Sequence, residues 1–484
     1  MRTSAIADFR LAQLVGKVTT LRTSLPFSAA IRRARISEEA EMKLTRRHAL
    51  LTTAGALGAG AILRSGGLRA AIPVADVPTP KFEIEEGASL RVLRPAKFVQ
   101  GDETLWLENT KKFTEATGVQ VTVNSEGWED LRPKTAVAAN VGDGPDVILA
   151  WQEDPFLFED KLLKLTDLND YLGKKYGGWF PVCETYGKNS GGEWISLPIG
   201  GSGSTMVHRK SWIQEAGFEK VPADFPGFLN LCKALKAKGH PVGFALGNAV
   251  GDGGWTDWVL WGFGSSLVDE NEQVIIDNEK TIEALEYAKE LYQTFIPGTL
   301  SWLDPSNNKA FLAGEVSLTA NGVSVYYAAK NSEDATVKAM AEDIDHANFP
   351  IGPVGFPTQG VLMINSVVMG YTEYPNAAKE YLRFMMEADQ YSAWQSASIG
   401  YWCHPLKAYD ESPVWSSDPK LLAYKDIVRN ALPQSYKGKP SQAAAAAKAD
   451  LVVLNMFQAV CAEQLSPKDA AAEAQRRGER YYRS

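Results

Sequence analysis

The chain has 484 residues, 50 Lys+Arg against 58 Asp+Glu, a formal net charge of -8, 45% hydrophobic residues and four cysteines. That length supplies apolar material for two or more buried cores, and a mean hydropathy of -0.20 with 22% charged residues excludes a membrane bundle and a disordered chain. The acidic balance argues against a dedicated nucleic-acid binder, and four cysteines in so long a chain rule out a disulfide scaffold.

Residues 1–75 read as a leader. Residues 1–41 show no clear core pattern and precede a better start at Met42. The export signal occupies 42–75: a basic start with Arg46-Arg47, an apolar run from Ala49 to Leu63, and small residues around Ala70-Ala71. The run is too short for a membrane span, which needs roughly 20 apolar residues. The block Thr45-Arg46-Arg47-His48-Ala49 resembles the twin-arginine class of signal. No cysteine precedes Cys183, so the expectation is an exported, periplasmic protein without a lipid anchor.

Past a Pro-rich linker the pattern alternates between strands and helices, the signature of an α/β fold. Leu90–Leu93 predicts a strand, Asp102 opens a helix with Trp106 and Phe113 on one face, and Gly118 ends it. Val119–Val123 and Asp146–Ala150 predict strands, with a helix near 131–139 between them. Short β-α-β-α-β connections imply a parallel sheet with its ligand crevice at the strand C-terminal ends. Gly200–Ser204 marks a break, too poor in motif for a phosphate loop and read as a flexible connection. Helices follow at 211–216, 225–238 and 278–295, strands at 316–319 and 360–365, and further helices at Pro375 and at Ala443–Ala447.

Tests for catalysis fail: there is no HExxH, CxxC or EF-hand spacing, no acid/base pair stands out, and no metal or cofactor is expected. Cys403-His404 lacks spaced partners and reads as a packed thiol beside a polar loop residue. Sequence does not pair Cys183, Cys232, Cys403 and Cys461. Aromatics at strand ends are more informative, because flat rings stack on the C–H faces of sugars while Asp, Glu, Asn and Gln bind hydroxyls. Trp258, Trp261 and Trp394, in helical stretches, read as core. Trp151 and Trp402, beside turns and polar neighbours, read as site.

These residues resemble the family 1 extracellular solute-binding proteins of ABC importers, from about Leu90 to the C-terminus. The carriers are Phe113–Val121, Gly144–Ile148, His208–Phe218, Phe311–Val316 with Asn321-Gly322, and Tyr374–Leu382. The resemblance implies a two-lobe, type II-like periplasmic binding protein fold, with parallel-rich sheets flanked by helices and ligand in the inter-lobe cleft. Mapped here, the N-terminal lobe takes 85–197 plus 357–402, and the C-terminal lobe 198–356 plus 403–484. It implies ligand contacts at Gln100, Asp102, Glu126, Trp128, Trp151, Gln152 and Glu153, then Trp255, Asp257, Asn321, Tyr401 and Trp402. Maltose-type members carry a tryptophan shortly after the Asn-Gly, where Ser324 stands here, which turns the expectation away from maltodextrins.

The resulting expectation is a monomeric, non-enzymatic importer component. It binds a carbohydrate-like or polyol solute by closing its lobes, passes it to ABC permease subunits, and meets the twin-arginine translocase during export. The alternative is an exported glycoside hydrolase or cofactor-bearing oxidoreductase. Residues 1–75 hold 12 Lys+Arg against 4 Asp+Glu, leaving 38 against 54 for residues 76–484. The remainder is therefore strongly acidic, which favours a neutral or cationic solute and disfavours nucleic acid as a partner.

Overall fold

In the computed structural model, which describes residues 72–483, the first strands and helices follow the alternation read from the sequence. The export-signal reading, with Arg46 and Arg47, lies outside the described residues. Helices Gln100–Thr117 and Trp128–Val141 join β1 (Ser89–Pro95), β2 (Gln120–Glu126) and β3 (Val147–Trp151). The first helix buries Trp106 and Phe113 and ends on Gly118, whose φ of 80° carries its N–H to the Thr114 carbonyl. β1 pairs in parallel with β2 and with β3. Every residue of β3 is buried, as in a strand covered on both faces, while β2 at the sheet edge alternates half-buried and exposed positions.

The chain then builds β4 (Leu197–Ser202) and leaves this sheet. β5 (Thr205–Arg209), β6 (Leu318–Asn321) and β7 (Ile344–Asn348) form a three-stranded antiparallel sheet in the order β6-β5-β7. β8 (Leu362–Val368) returns to the first sheet, giving the order β2-β1-β3-β8-β4, and is antiparallel to both its neighbours. The parallel sheet expected from the N-terminal pattern is thus mixed, because a strand from far along the chain is inserted into it.

The glycine-serine break also differs from expectation. Gly200, Gly201 and Ser202 belong to β4, and only Gly203 (φ 80°) and Ser204 (φ 63°) turn between the sheets. A Cβ on Gly200 would meet the Trp402 Cβ at 2.9 Å, and one on Gly201 would meet Val361 and Val428 methyls at 2.7 and 2.6 Å. Those glycines serve close packing, not flexibility.

Cys403, Tyr409 and Trp415 bury in the core that holds the five-stranded sheet, a core that also takes in Val207 and Ile344 of the second sheet, and Tyr424 packs against His346 of β7. Trp255, Trp258, Leu285 and Phe457 form a second core. Residues Gln442–Cys461 are long and apolar enough to cross a membrane. They are nonetheless two helices, Gln442–Ala449 and Val452–Cys461, broken at Leu451 (φ 54°), with Ala447, Val452 and Phe457 buried. All four cysteines are free, buried thiols.

Candidate functional site

β3 and β4 both run antiparallel to β8, so the C-terminal ends of β1, β3 and β4 and the start of β8 face one side. On that side β4 turns into β5, whose first residue, Thr205, pairs with Asn321 and Asn348. A cleft opens where the two sheets meet. This is the strand-end position at which open α/β sheets bind ligands.

The first-sheet side of the cleft is aromatic. Phe98, Trp128 and Tyr401 line it together with Gln152, Ser202 and Leu362. The Trp128 ring sits 5.4 Å from Phe98, 5.2 Å edge-on to Trp151 and 6.1 Å from the stacked Trp402, centroid to centroid. Its indole N–H donates to the Ala96 carbonyl at 2.8 Å, so hydrocarbon and π surface are what it offers the cleft. Gln152 Oε1 accepts from the Met363 N–H at 3.2 Å, while its Nε2 has no hydrogen-bond partner among the described residues.

The second-sheet side is polar. Asp252, Asp304, Asn308, Asn321 and Ser324 line it with Trp255 and Phe349. Asn321 Nδ2 donates to Asn308 Oδ1, Asn308 Nδ2 donates to Ser324 Oγ at 2.9 Å, and Ser324 Oγ donates to Asn321 Oδ1 at 3.3 Å. The three side chains hold one another in place. The Trp255 N–H, like that of Trp128, is taken by a carbonyl, that of Ala245 at 2.8 Å. The walls touch at Gly251, where a Cβ would lie 2.7 Å from Leu362 and 3.5 Å from Trp151.

Two carboxylates share this wall. Asp304 precedes Pro305 and caps the turn before the Trp255–Gly262 helix, accepting from the backbone N–H of Gly251 at 3.1 Å and of Asp252 at 2.9 Å. Burial raises its pKa to about 6 and the field of Glu129 adds to that, against the opposing backbone donors. Burial and then the adjacent Asp304 push Asp252 well above the usual carboxylate range. Neither carboxylate forms an ion pair, and no Lys, Arg or His lines the cleft, among the described residues.

Of the residues implied by the sequence, Trp128, Gln152, Trp255, Asn321 and Tyr401 come together in the cleft lining. Gln100 is exposed at a helix start, its amide donating to Thr104. Asp102 is buried against Arg94 and accepts from the Trp394 indole at 2.9 Å. Glu126 pairs with Lys134 outside the cleft. Glu153 and Asp154 both bind Arg132, and Asp257 binds Lys448 at 2.8 Å. Trp151 and Trp402, 1% and 3% exposed, sit behind Trp128 rather than on the cleft surface. Trp258, Trp261 and Trp394 are core, as their helical placement implies. His404 is held by Asp410 at 2.9 Å. Sequence reasoning passed over Asp252, Asp304 and Asn308. Asp252 stands in Gly251-Asp252-Gly253-Gly254 and Asp304 in Asp304-Pro305, both turn signals directly ahead of helices.

Two sheets joined by crossing segments, with a cleft between them, define a two-lobe periplasmic binding protein fold. The model of the bacterial extracellular solute-binding proteins matches residues 108–423, and the chain belongs to that family. A probable ABC transporter-binding protein of Deinococcus radiodurans is 22% identical over 251 residues, which span 50% of this chain and 59% of that relative. Two solved structures share the fold. One is an ABC transporter solute-binding protein of Thermotoga lettingae with bound α-D-tagatose (16% identity, TM-score 0.70, 82% of this chain and 100% of that one). The other is a sugar transporter of Arthrobacter chlorophenolicus with bound laminaribiose (19% identity, TM-score 0.69, 81% and 99%).

Proposed function

We propose that this protein is the periplasmic component of an ABC importer, binding a polyhydroxylated small solute of the carbohydrate or polyol class and delivering it to permease subunits. One observation carries the reading. The cleft combines aromatic faces whose N–H groups are already spent with amide, hydroxyl and carboxylate groups, and among the described residues it offers no cation to an anionic solute. Rings of this kind cover the C–H faces of a sugar while the polar wall takes its hydroxyls. The relative's description as an ABC transporter-binding protein and the sugars held by the two solved structures support the same class.

Ligand contacts made from both walls at once favour the closed arrangement of the lobes, which is how binding becomes a signal to the permease. In this reading the chain crosses at 203–204 and 349–361 and again after Trp415, since Cys403 and Tyr409 pack with the first sheet while Asp418, Lys420 and Tyr424 bind Tyr326, Ala341 and His346 on the second. The protein works as a monomer, exported through the twin-arginine translocase and free of a lipid anchor. A thermal-shift screen over sugars, polyols and amino acids tests the reading, because a ligand bound only by the folded state must stabilise it. Stabilisation by amino acids alone, with none from any sugar or polyol, would reject it.

A further inference from the structure

Elsewhere in the molecule buried carboxylates face cations: Asp102 meets Arg94, Glu153 and Asp154 share Arg132, and Asp257 meets Lys448. Asp252 and Asp304 do not, among the described residues, although they lie side by side in the cleft between the sheets. Lys448, whose field reaches Asp304, is already bound to Asp257 at 2.8 Å. Glu129 adds a further negative field. A neutral hydroxyl can satisfy a lone pair here but leaves the charge uncompensated.

A second feature points to the same solute from across the cleft. Gln152 is 3% exposed, its oxygen is engaged by the Met363 N–H, and its Nε2 is left to donate into the cleft. That calls for an acceptor on the solute, such as a hydroxyl, opposite the carboxylates.

We infer that the solute carries an ammonium group, held by Asp252 and Asp304, on a hydroxylated frame that reaches Gln152. The inference rests on the cleft being the solute site and names the charge of what it takes. An ammonium brings three donors to the pair, which is acceptor-only once both carboxyls are ionised. It also gains from the rings of Trp128, Trp255 and Tyr401, whose faces attract cations. Burial and mutual repulsion hold both carboxyls above their ordinary range, and a bound cation relieves that cost and returns their protons to solvent. The excess of 54 Asp+Glu over 38 Lys+Arg in residues 76–484 favours the approach of a cation.

The test is calorimetric titration at pH 7 with matched pairs: glucosamine and glucose, galactosamine and galactose, N-methylglucamine and sorbitol. The expected result is an amine that binds at least about tenfold more tightly than its neutral partner in one or more pairs. Asp252→Asn is expected to erase that advantage, so that within the variant the amine and its neutral partner bind about equally. Equal or tighter binding of every neutral partner overturns the ammonium assignment and leaves the carbohydrate reading standing. A panel in which no member binds overturns both. Persistence of the advantage in Asp252→Asn overturns the role of the carboxylate pair, and should that variant not fold, the wild-type pairs decide alone.

Discussion

Behind the cleft, Asp102, Glu153, Asp154 and Asp257 are enclosed with an arginine or lysine apiece or shared; on its surface, Asp252 and Asp304 are enclosed only with each other. All are carboxylates, and all but the half-buried Asp252 are buried. What differs is whether the chain supplies the counter-charge. Desolvation raises Asp102, Glu153 and Asp154, with Arg94 or Arg132 pulling them back, so those pairs hold structure together at a cost already met inside the fold. The cleft pair leaves the corresponding deficit open to whatever binds.

The largest effect should come from breaking the paired set. Arg132→Met strands two buried carboxylates, and denaturant unfolding should show a loss of about 3–5 kcal/mol. A variant as stable as the parent would erase the distinction between the two sets. Trp151→Ala comes next, at about 3 kcal/mol, the lower end for large aromatic truncations, because Trp128 can relax into the space. Its sequence neighbourhood suggests a ligand platform; its burial predicts that melting temperature falls along with affinity, and an unaltered melt would put it back in the site.

Removing charge from the unpaired set should have the opposite sign. Asp252→Asn relieves repulsion, so the ligand-free protein should gain up to about 1 kcal/mol at pH 7 even as its solute binding weakens. The pH profile of ligand-free stability separates the sets further. Folded Asp304 keeps its proton to about 6, above the unfolded value near 4, so the folded state binds more protons between those values. The stability it contributes is complete below about pH 4 and is lost as pH rises through 6. Asp410 runs the other way: burial would raise it, but hydrogen bonds from His404 and Arg429 outweigh that and bring it to about 2. Its contribution is present above about pH 4 and disappears as pH falls through 2. Equilibrium unfolding across pH 2–8, with Asp304→Asn beside the parent, should flatten the first slope, to which Asp252 also contributes, and leave the second. The smallest effect belongs to Glu126→Gln, whose half-exposed pair with Lys134 lies off the cleft: less than about 0.5 kcal/mol and no change in affinity.

The fold was largely legible because its signals are local. Alternation placed β1 to β3, Gly118 ended the first helix as a left-handed cap, and Pro375 opened another. The insertion of β8 between β3 and β4 was not legible, since antiparallel neighbours 160 or more residues apart leave no periodic trace in either strand. The site was legible on its aromatic side, where tryptophans follow strand ends, but only in part: Trp128 reached the surface and Trp151 did not, and a strand pattern does not say which ring covers the other. The polar side was nearly silent. Asp257 and Asp252 stand five residues apart in one glycine-rich turn and helix, and only the position of Lys448, in a helix near the far end of the chain, tells them apart.

The Ser204 hydroxyl donates to the Gly360 carbonyl, tying the first strand crossing to the second. Two spans fastened to each other act like a pair of pins set along a line. Swinging about that line leaves the fastening intact, whereas sliding or twisting one sheet over the other would have to pull it apart. At these two crossings, rotation about their common line is thereby easier than sliding of one sheet over the other.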